Sequence, residues 1–397
     1  MSKPDSVLVF GAGLLQLSMI RRIQEQGLKA IAIDPNPEAP GKETADLFKV
    51  VGGQDFEATL EVCRRHEVSG IVTAATDKPL EMMARVAEAS GLPFYSVETA
   101  QRSTDKWLMK NAFQDADLPH AAGQLLQSDA DLQMGYPVVI KPRDSSGSRG
   151  VSVVHEKSAL ATSIQEAMAS SRMDSVVAEE LVHGQEYSLE CIHLKGKTTL
   201  LQVTEKMVTP MPYRVELGHL APAEFCGMSF EDLEALCDSV GEAMGFDHCV
   251  SHIEIMIREG KGAVIIEASP RLGGDFITSH LVPLASGRNM EVELVQISLG
   301  KESGAVQLDS FPHAGIFYLH FEEGRVVIAE DLTFLDQDSR VQYWSCELKK
   351  GDTVPRISNS LTRYGQLIIT AQSRHQLLQF RDDIFAQIET KLFGHAD

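Results

Sequence analysis

Residues 252–274 read His-Ile-Glu-Ile-Met-Ile-Arg-Glu-Gly-Lys-Gly-Ala-Val-Ile-Ile-Glu-Ala-Ser-Pro-Arg-Leu-Gly-Gly. Two apolar, alternating runs each carry one carboxylate, Glu254 and Glu267, and a Gly-Lys-Gly turn joins them. Alternation broken by a glycine-rich turn is the pattern of a β-hairpin. On neighbouring antiparallel strands the two glutamates can share a face and bring two hard oxygen ligands together. Mg2+ suits such a pair, because it takes one or two carboxylates and completes its shell with water and substrate phosphates. Ser269 lies two residues on and adds an oxygen to that face. Arg271 is two further on and aims a planar cation at the same place. The competing reading is a pair of ordinary solvent-facing glutamates, and the rest of the chain decides between the two.

Upstream, residues 136–142 spell Tyr-Pro-Val-Val-Ile-Lys-Pro, a buried strand ending in Lys141. The loop Arg-Asp-Ser-Ser-Gly-Ser-Arg-Gly follows at 143–150, then a second strand at 151–154. Free backbone N–H groups in a Ser/Gly-rich loop suit phosphate oxygens. It is not a Walker loop, since the Gly-Lys-Ser/Thr ending and the following helix are absent. Residues 176–182 form another strand with a polar end, running through His183-Gly184-Gln185-Glu186 to a strand at 187–191. Before these, Thr104-Asp105 can cap a helix that carries Lys106, Trp107 and Asn111.

The first hundred residues alternate strands (7–10, 30–33, 70–74) with helices (14–26, 58–65, 80–90), the pattern of an open parallel α/β sheet. Gly11-Ala12-Gly13 sits where a Rossmann phosphate loop would, and Asp34 where a ribose-binding acid would. Gln16 replaces the third glycine, which favours a tight strand-to-helix turn over a dinucleotide site. Beyond the hairpin, Gly273-Gly274-Asp275 opens a helical stretch that includes 291–299. From residue 311 an α+β segment has strands at 315–321, 325–329 and 366–370 and an amphipathic helix at 377–392.

The 397 residues suit two or three domains. A formal charge of −20 argues against a nucleic-acid backbone or an anionic membrane as partner, but leaves nucleotides open. No apolar run is long enough to span a bilayer. The N-terminal Met-Ser-Lys-Pro-Asp-Ser has no signal-peptide pattern, so a cytoplasmic location is expected. Six cysteines (Cys63, Cys191, Cys226, Cys237, Cys249, Cys346) lack Cys-x-x-Cys spacing and read as small buried residues in a reducing compartment rather than a catalytic thiol. The 13 histidines show no metal-binding spacing.

Taken in order, these segments resemble the ATP-grasp superfamily over nearly the whole chain. Its pattern is Asp-Lys at a helix start, a strand lysine before a small-residue loop, an acidic hinge, and paired metal carboxylates ending Glu-x-Asn-x-Arg. Here these are Asp105-Lys106, Lys141 with 145–150, 179–182 with Glu186, and Glu254 with Glu267-Ala268-Ser269-Pro270-Arg271. Ser269 stands where the family carries asparagine. The resemblance implies an α/β and α+β architecture in three parts. These are a Rossmann-like domain at 1–103, a two-lobed ATP-grasp domain at 104–310 with a small lid lobe at about 118–183, and a C-terminal α+β closing domain at 311–397.

Within the superfamily the chain looks most like the L-amino-acid ligases. The likeness rests on Val203-Thr204-Glu205-Lys206, Val215-Glu216-Leu217-Gly218-His219 with Pro222, His252-Ile253-Glu254 and Arg271-Leu272-Gly273-Gly274-Asp275. The Gly-x-Gly-x-x-Gln turn and Asp34-Pro35-Asn36-Pro37 are similar instead to the carboxyaminoimidazole synthases. The implied activity is ATP-dependent carboxylate–amine ligation through an acylphosphate, releasing ADP and phosphate, with an amino acid as substrate. A carboxylating enzyme of the synthase type and a nucleotide-binding regulatory protein are the alternatives.

The resemblance also implies roles. Lys106 and Lys141 hold the α- and β-phosphates, and Ser146, Gly147, Ser148 and Gly150 cover the β/γ-phosphates. Glu179, Glu180 and Val182 meet the adenine, with Glu186 on the ribose. Glu254, Glu267 and Ser269 hold Mg2+, or Mn2+ in its place. Arg271 and Lys141 are the catalytic cations. His219, His252, Gly273, Gly274 and Asp275 face the substrates. Either histidine could equally be satisfied inside the fold, and Asp275 could cap a helix or meet an ammonium. Arg214 and Arg288 are candidates for a substrate carboxylate. The partners implied are small-molecule carboxylates and amines, with no nucleic acid or membrane, and a homodimer is left open.

Overall fold

A computed structural model describes residues 5–210, 214–224, 227–258, 260–302 and 308–394. Cys226 lies outside the described residues, as does the N-terminal Met1–Pro4 stretch. The first sheet is built from β1 (Ser6–Phe10), β2 (Lys29–Asp34), β3 (Leu47–Val50) and β4 (Val68–Val72). All its pairings are parallel, in the order β3-β2-β1-β4. Helices α1 (Leu17–Glu25), α2 (Phe56–His66) and α3 (Leu80–Ser90) connect and follow these strands. The apolar runs of β1 and β2 are buried as a parallel sheet covered by helices requires. Asp34 accepts the Ala12 N–H at 2.8 Å and the Asn36 N–H at 2.8 Å. Gln16 accepts the Gly13 N–H and donates to the Ala74 carbonyl. The polar groups of the Rossmann-like turn are thus used by the turn and by the strand ends beside it.

Helix α4 (Val97–Thr104) leads directly into α5 (Lys106–Asp115), whose N-cap is Asp105, accepting from the N–H groups of Trp107 and Leu108. A second, antiparallel sheet contains β5 (Gly123–Leu126), β6 (Val138–Pro142), β7 (Ser152–Val154) and β8 (Val176–Glu180), in the order β5-β8-β6-β7. Helix α6 (Lys157–Ala169) packs on it, and the pair has an apolar core of its own around Leu126, Val138, Ile140, Leu160 and Val176.

The third sheet has eight strands. They are β9 (Gln185–Leu194), β10 (Lys197–Val208), β11 (Glu216–Ala221), β12 (Cys249–Arg258), β13 (Gly262–Ser269), β14 (His313–Tyr318), β15 (Val341–Cys346) and β16 (Gly365–Ala371). Their order is β13-β12-β9-β10-β11-β14-β16-β15. The sheet therefore runs without a break from the glutamate hairpin to the C-terminal strands through the β11–β14 pairing. Helix α7 (Phe230–Met244) covers one face, with α8 (Val282–Ser286) and α9 (Met290–Ser298) on the opposite side near the first sheet, and α10 (Arg374–Phe393) packs on the C-terminal strands. Gly70 of β4 lies so close to α9 that a Cβ there would stand 2.5 Å from Ser298 Oγ.

Some local expectations fail. Residues 325–329 do not form a strand: only Val326 is bridged, to Thr353. The N–H groups of Val327 and Ile328 bond to Asp352 and Leu392 rather than to a ladder, and Val326 and Ile328 stay exposed. The apolar alternation there buries Val327 against the C-terminal core without a partner strand. The edge strands β3 and β15 carry weak apolar patterns, half-exposed in the fold, and were not anticipated.

Candidate active site

The hairpin forms as its pattern requires. Glu254 of β12 lies directly opposite Glu267 of β13, and His252 opposite Ser269. The register slips by one residue after Glu254, leaving Ile266 as a bulge. Two consecutive side chains, Ile266 and Glu267, therefore both line the cleft. Strict alternation would have sent one of them into the core. Ile266 joins Ala121, Val182 and Met256 in an apolar patch beside the carboxylates.

The cleft has a volume of about 430 Å³. Its walls come from the lid sheet and its loop, from the large sheet, from the residues following β4, and from Ser360 near the C-terminus. Among the candidates named above, Lys106, Lys141, Ser146, Gly147, Ser148, Glu179, Glu180, Val182, Glu186, His219, His252, Glu254, Glu267, Ser269, Arg271, Gly274 and Asp275 line it. Gly150 and Gly273 sit just behind the wall. A Cβ on Gly150 would meet Ser170 and Pro142, and one on Gly273 would meet His252 and Glu190. Arg214 lines the cleft, whereas Arg288 is paired with Glu293 away from it. None of the five described cysteines lines it.

Every cation named above as facing the cleft is held by a carboxylate. Lys106 meets Glu267 at 2.9 Å, and Lys141 meets Glu179 at 2.6 Å. Glu179 also binds Lys110 at 3.1 Å, so its carboxylate is committed to two lysines and does not present itself to an adenine edge. Burial alone would raise the Glu179 carboxyl, but Lys141 and Lys110 hold it below its ordinary value. Glu186 is paired with Arg214. Arg271 is fixed by Asp77, its Nε 2.8 Å from Oδ1, and Ser269 donates to the same oxygen at 2.7 Å. Burial opposes the charge of Arg271, yet Asp77 overrides it and keeps the guanidinium charged. Ser269 thus serves Asp77 rather than pointing free.

Asp275 does not cap the helical turn at Ile277–Leu281, whose N-cap is Phe276 with no side-chain bond. Its two oxygens take the Arg363 fork at 2.9 and 2.6 Å, and His219 Nε2 lies 3.3 Å from Oδ2. Burial would raise this carboxyl, and His219 and Arg363 hold it far below the ordinary range. Arg363 in turn stacks on Tyr318, its Cζ 3.7 Å from the ring centre. His252 lies between Glu190 at 2.6 Å and Glu254 at 3.2 Å. Burial lowers its basicity, but the two carboxylates push it up to about 9. Lys206 reaches Glu254 at 2.7 Å.

Sequence reasoning missed Asp77, Lys110, Glu190 and Arg363. Asp77 had a signal: it follows β4 at the carboxyl end of a parallel sheet, where such folds place ligands. Arg363 and Glu190 had none that one sequence supplies.

The two carboxylates suit a divalent cation in chemistry. Their side chains are 31% and 26% exposed, and they line the same cleft as Lys141. Among the described residues no cluster of three or more His, Cys, Asp or Glu is arranged to hold a metal alone. A pair of this kind suits Mg2+ whose remaining positions are filled by water and substrate phosphates.

A small antiparallel sheet and a large antiparallel sheet enclosing one cleft, with Lys141 on the small sheet and paired carboxylates on the large one, make an ATP-grasp fold. Residues 134–279 match the ATP-grasp domain family, and the chain carries such a domain. A formate-dependent phosphoribosylglycinamide formyltransferase from Synechococcus sp. (strain CC9605) is 27% identical over 265 residues, 62% of this chain. The chain spans 64% of the length of that curated relative. An L-amino acid ligase from Bacillus licheniformis superposes with a TM-score of 0.81 at 18% identity, covering 99% of each chain. An N5-carboxyaminoimidazole synthetase from Staphylococcus aureus, complexed with ADP, does so at 0.75 and 15% identity, covering 97% of this chain and 98% of its own. Among the described residues no helix is long and apolar enough to cross a membrane.

Proposed function

We propose that the protein is an ATP-dependent carboxylate–amine ligase that activates a carboxylate as its acylphosphate and releases ADP and phosphate. The observation that carries this is the meeting of Glu254 and Glu267 on adjacent strands, across a cleft from Lys141 and the 145–150 loop. Lys106 and Lys141 bind phosphate oxygens, with Glu179 setting the direction of Lys141. Backbone N–H groups of the loop cover the terminal phosphates, and the lid sheet excludes water from a reactive acyl group. Glu254 and Glu267 hold Mg2+, which supplies charge neutralisation of the triphosphate.

Arg271, kept in place by Asp77, stabilises charge on the transferring phosphoryl and on the tetrahedral oxyanion formed when the amine attacks. The substrate carboxylate and amine sit at the end of the cleft bounded by His219, Gly274 and Asp275. An amino acid is the favoured carboxylate, on the middle-segment motifs that resemble the L-amino-acid ligases. The formyltransferase relative favours a second reading, formate as the carboxylate with phosphoribosylglycinamide as acceptor.

One experiment separates them: ADP release measured over a panel of amino-acid pairs and of formate with phosphoribosylglycinamide, with mass detection of the product. Release that depends on both a carboxylate and an amine, with an amide product, supports ligation. ADP release indifferent to every added pair sinks it.

A further inference from the structure

We propose that Glu190, His252 and Lys206 are positioning residues that hold one oxygen of Glu254 so that the other is presented to the metal; this rests on the ligase reading above. Both contacts to Glu254 fall on the same atom. Oε1 takes Lys206 Nζ at 2.7 Å and His252 Nε2 at 3.2 Å, while no such contact falls on Oε2 among the described residues. A carboxylate gripped by one oxygen from two directions cannot rotate about its last bond, so Oε2 keeps a fixed heading into the cleft.

The grip is itself anchored. Glu190 lies directly across from His252 on β9, is fully buried, and holds Nδ1 at 2.6 Å. Its second oxygen is buried without a hydrogen-bond partner, so its one strong contact is the imidazole. The backbone just past Arg271 closes over this pair: a Cβ on Gly273 would stand 2.8 Å from Nδ1 and 3.0 Å from the free Glu190 oxygen. Lys206 is 4% exposed and has Glu216 at 3.9 Å as a second carboxylate neighbour, so its ammonium is held by burial and by two acids. Glu267 is held differently: among the described residues its close ion pair is with Lys106. Lys106 is also a phosphate ligand in the proposed mechanism, so Glu267 is free to adjust when nucleotide arrives and Glu254 is not.

Outer groups that orient a metal-binding carboxylate typically contribute tenfold or more in affinity. The alternative is that Lys206 only competes with the cation, in which case removing it tightens metal binding. The two predict opposite signs. The test is calorimetric binding of ADP, with Mg2+ and with chelator, to the wild-type protein and to folded Glu190→Gln, Lys206→Met and Lys206→Arg variants, beside a count of bound Mn2+ by electron spin resonance. In the wild type, Mg2+ strengthens ADP binding. Lys206→Met and Glu190→Gln lose about tenfold of that strengthening, metal-free ADP binding is unchanged, and Lys206→Arg restores most of it. If Glu190→Gln does not fold, His252→Gln takes its place in the comparison. An unchanged Mg2+ effect in the variants, or a tighter one, overturns the proposal and leaves the ligase reading standing. No Mg2+ effect in the wild type overturns both.

Discussion

Glu267 forms its close ion pair with Lys106 and has one task in the proposed chemistry, so its removal is a clean test at the residue scale. Glu267→Gln keeps size and shape, and ADP formation at ordinary Mg2+ is expected to fall by about three orders of magnitude, as for other electrostatic elements of a transition state. Circular dichroism confirms the fold, and full activity in a folded variant would remove the metal assignment. Arg271→Lys retains charge and loses the planar fork that meets Asp77, so turnover is expected to fall much further than affinity for an ATP analogue. Steady-state kinetics beside calorimetry reads both; losses in equal proportion make Arg271 a nucleotide anchor instead. The residues that line the cleft were largely legible in the sequence because most sit in short motifs. Their holders were not: Asp77 is 194 residues from Arg271, Arg363 is 88 from Asp275 and Glu190 is 62 from His252. Only folding brings such pairs together, and a single sequence carries no trace of which acid meets which base.

Hairpin, capped helix and Ser/Gly-rich loop were legible as elements, because turn glycines, a capping aspartate and alternation are local signals. The bulge at Ile266 was not, since the residues around it are ordinary strand formers. The 143–151 loop is tied down at Asp144, which binds Ser171 and Arg172, and at Gly150 against Ser170, leaving 145–149 as the span with few anchors. Proteolysis within 145–149 is expected to slow when an ATP analogue and Mg2+ are added, and equal cleavage with and without them would count against a phosphate role. The contact between α1 and α9 carries a different expectation. Burial pushes Glu291 up to about 7, only partly offset by the Ser18 hydroxyl and by Arg22. Between its unfolded value, about 4.3, and 7 the folded protein binds more protons than the unfolded chain. This contribution is thus complete below the lower value and is lost as pH rises toward 7. Glu291→Gln is expected to raise the melting temperature at pH 8, by the equivalent of about 1–3 kcal/mol, and to leave it nearly unchanged at pH 4. Melting curves at the two pH values check this; an equal shift at both would assign the effect to packing.

Across the whole molecule, the parallel first sheet was foreseeable, but the extent of the eight-stranded sheet was not. The C-terminal strands read as a separate α+β segment, yet β14 pairs with β11 and extends the same sheet that bears the glutamates. Leu220 of β11 packs in one core with Phe317, Leu367 and Ile369 from that segment. A chain cut after residue 310 therefore exposes both an unpaired strand edge and an apolar face, and it is expected to aggregate rather than give a soluble monomer. Size-exclusion chromatography of the fragment decides, and a stable, soluble fragment would show that the sheet ends functionally at β11. The cleft also draws on widely separated stretches of chain: Asp77 near the start, the hairpin in the middle, and Ser360 with Arg363 close to the end. This imposes a timetable on synthesis. While the ribosome is still making the last fifth of the chain, the lysines and carboxylates of the cleft are already synthesised, but Asp275 has no Arg363 and β11 has β10 beside it without β14. On the proposed ligase reading, the nucleotide side is thus encoded before the acceptor end is complete, and the capacity to spend ATP productively arrives last.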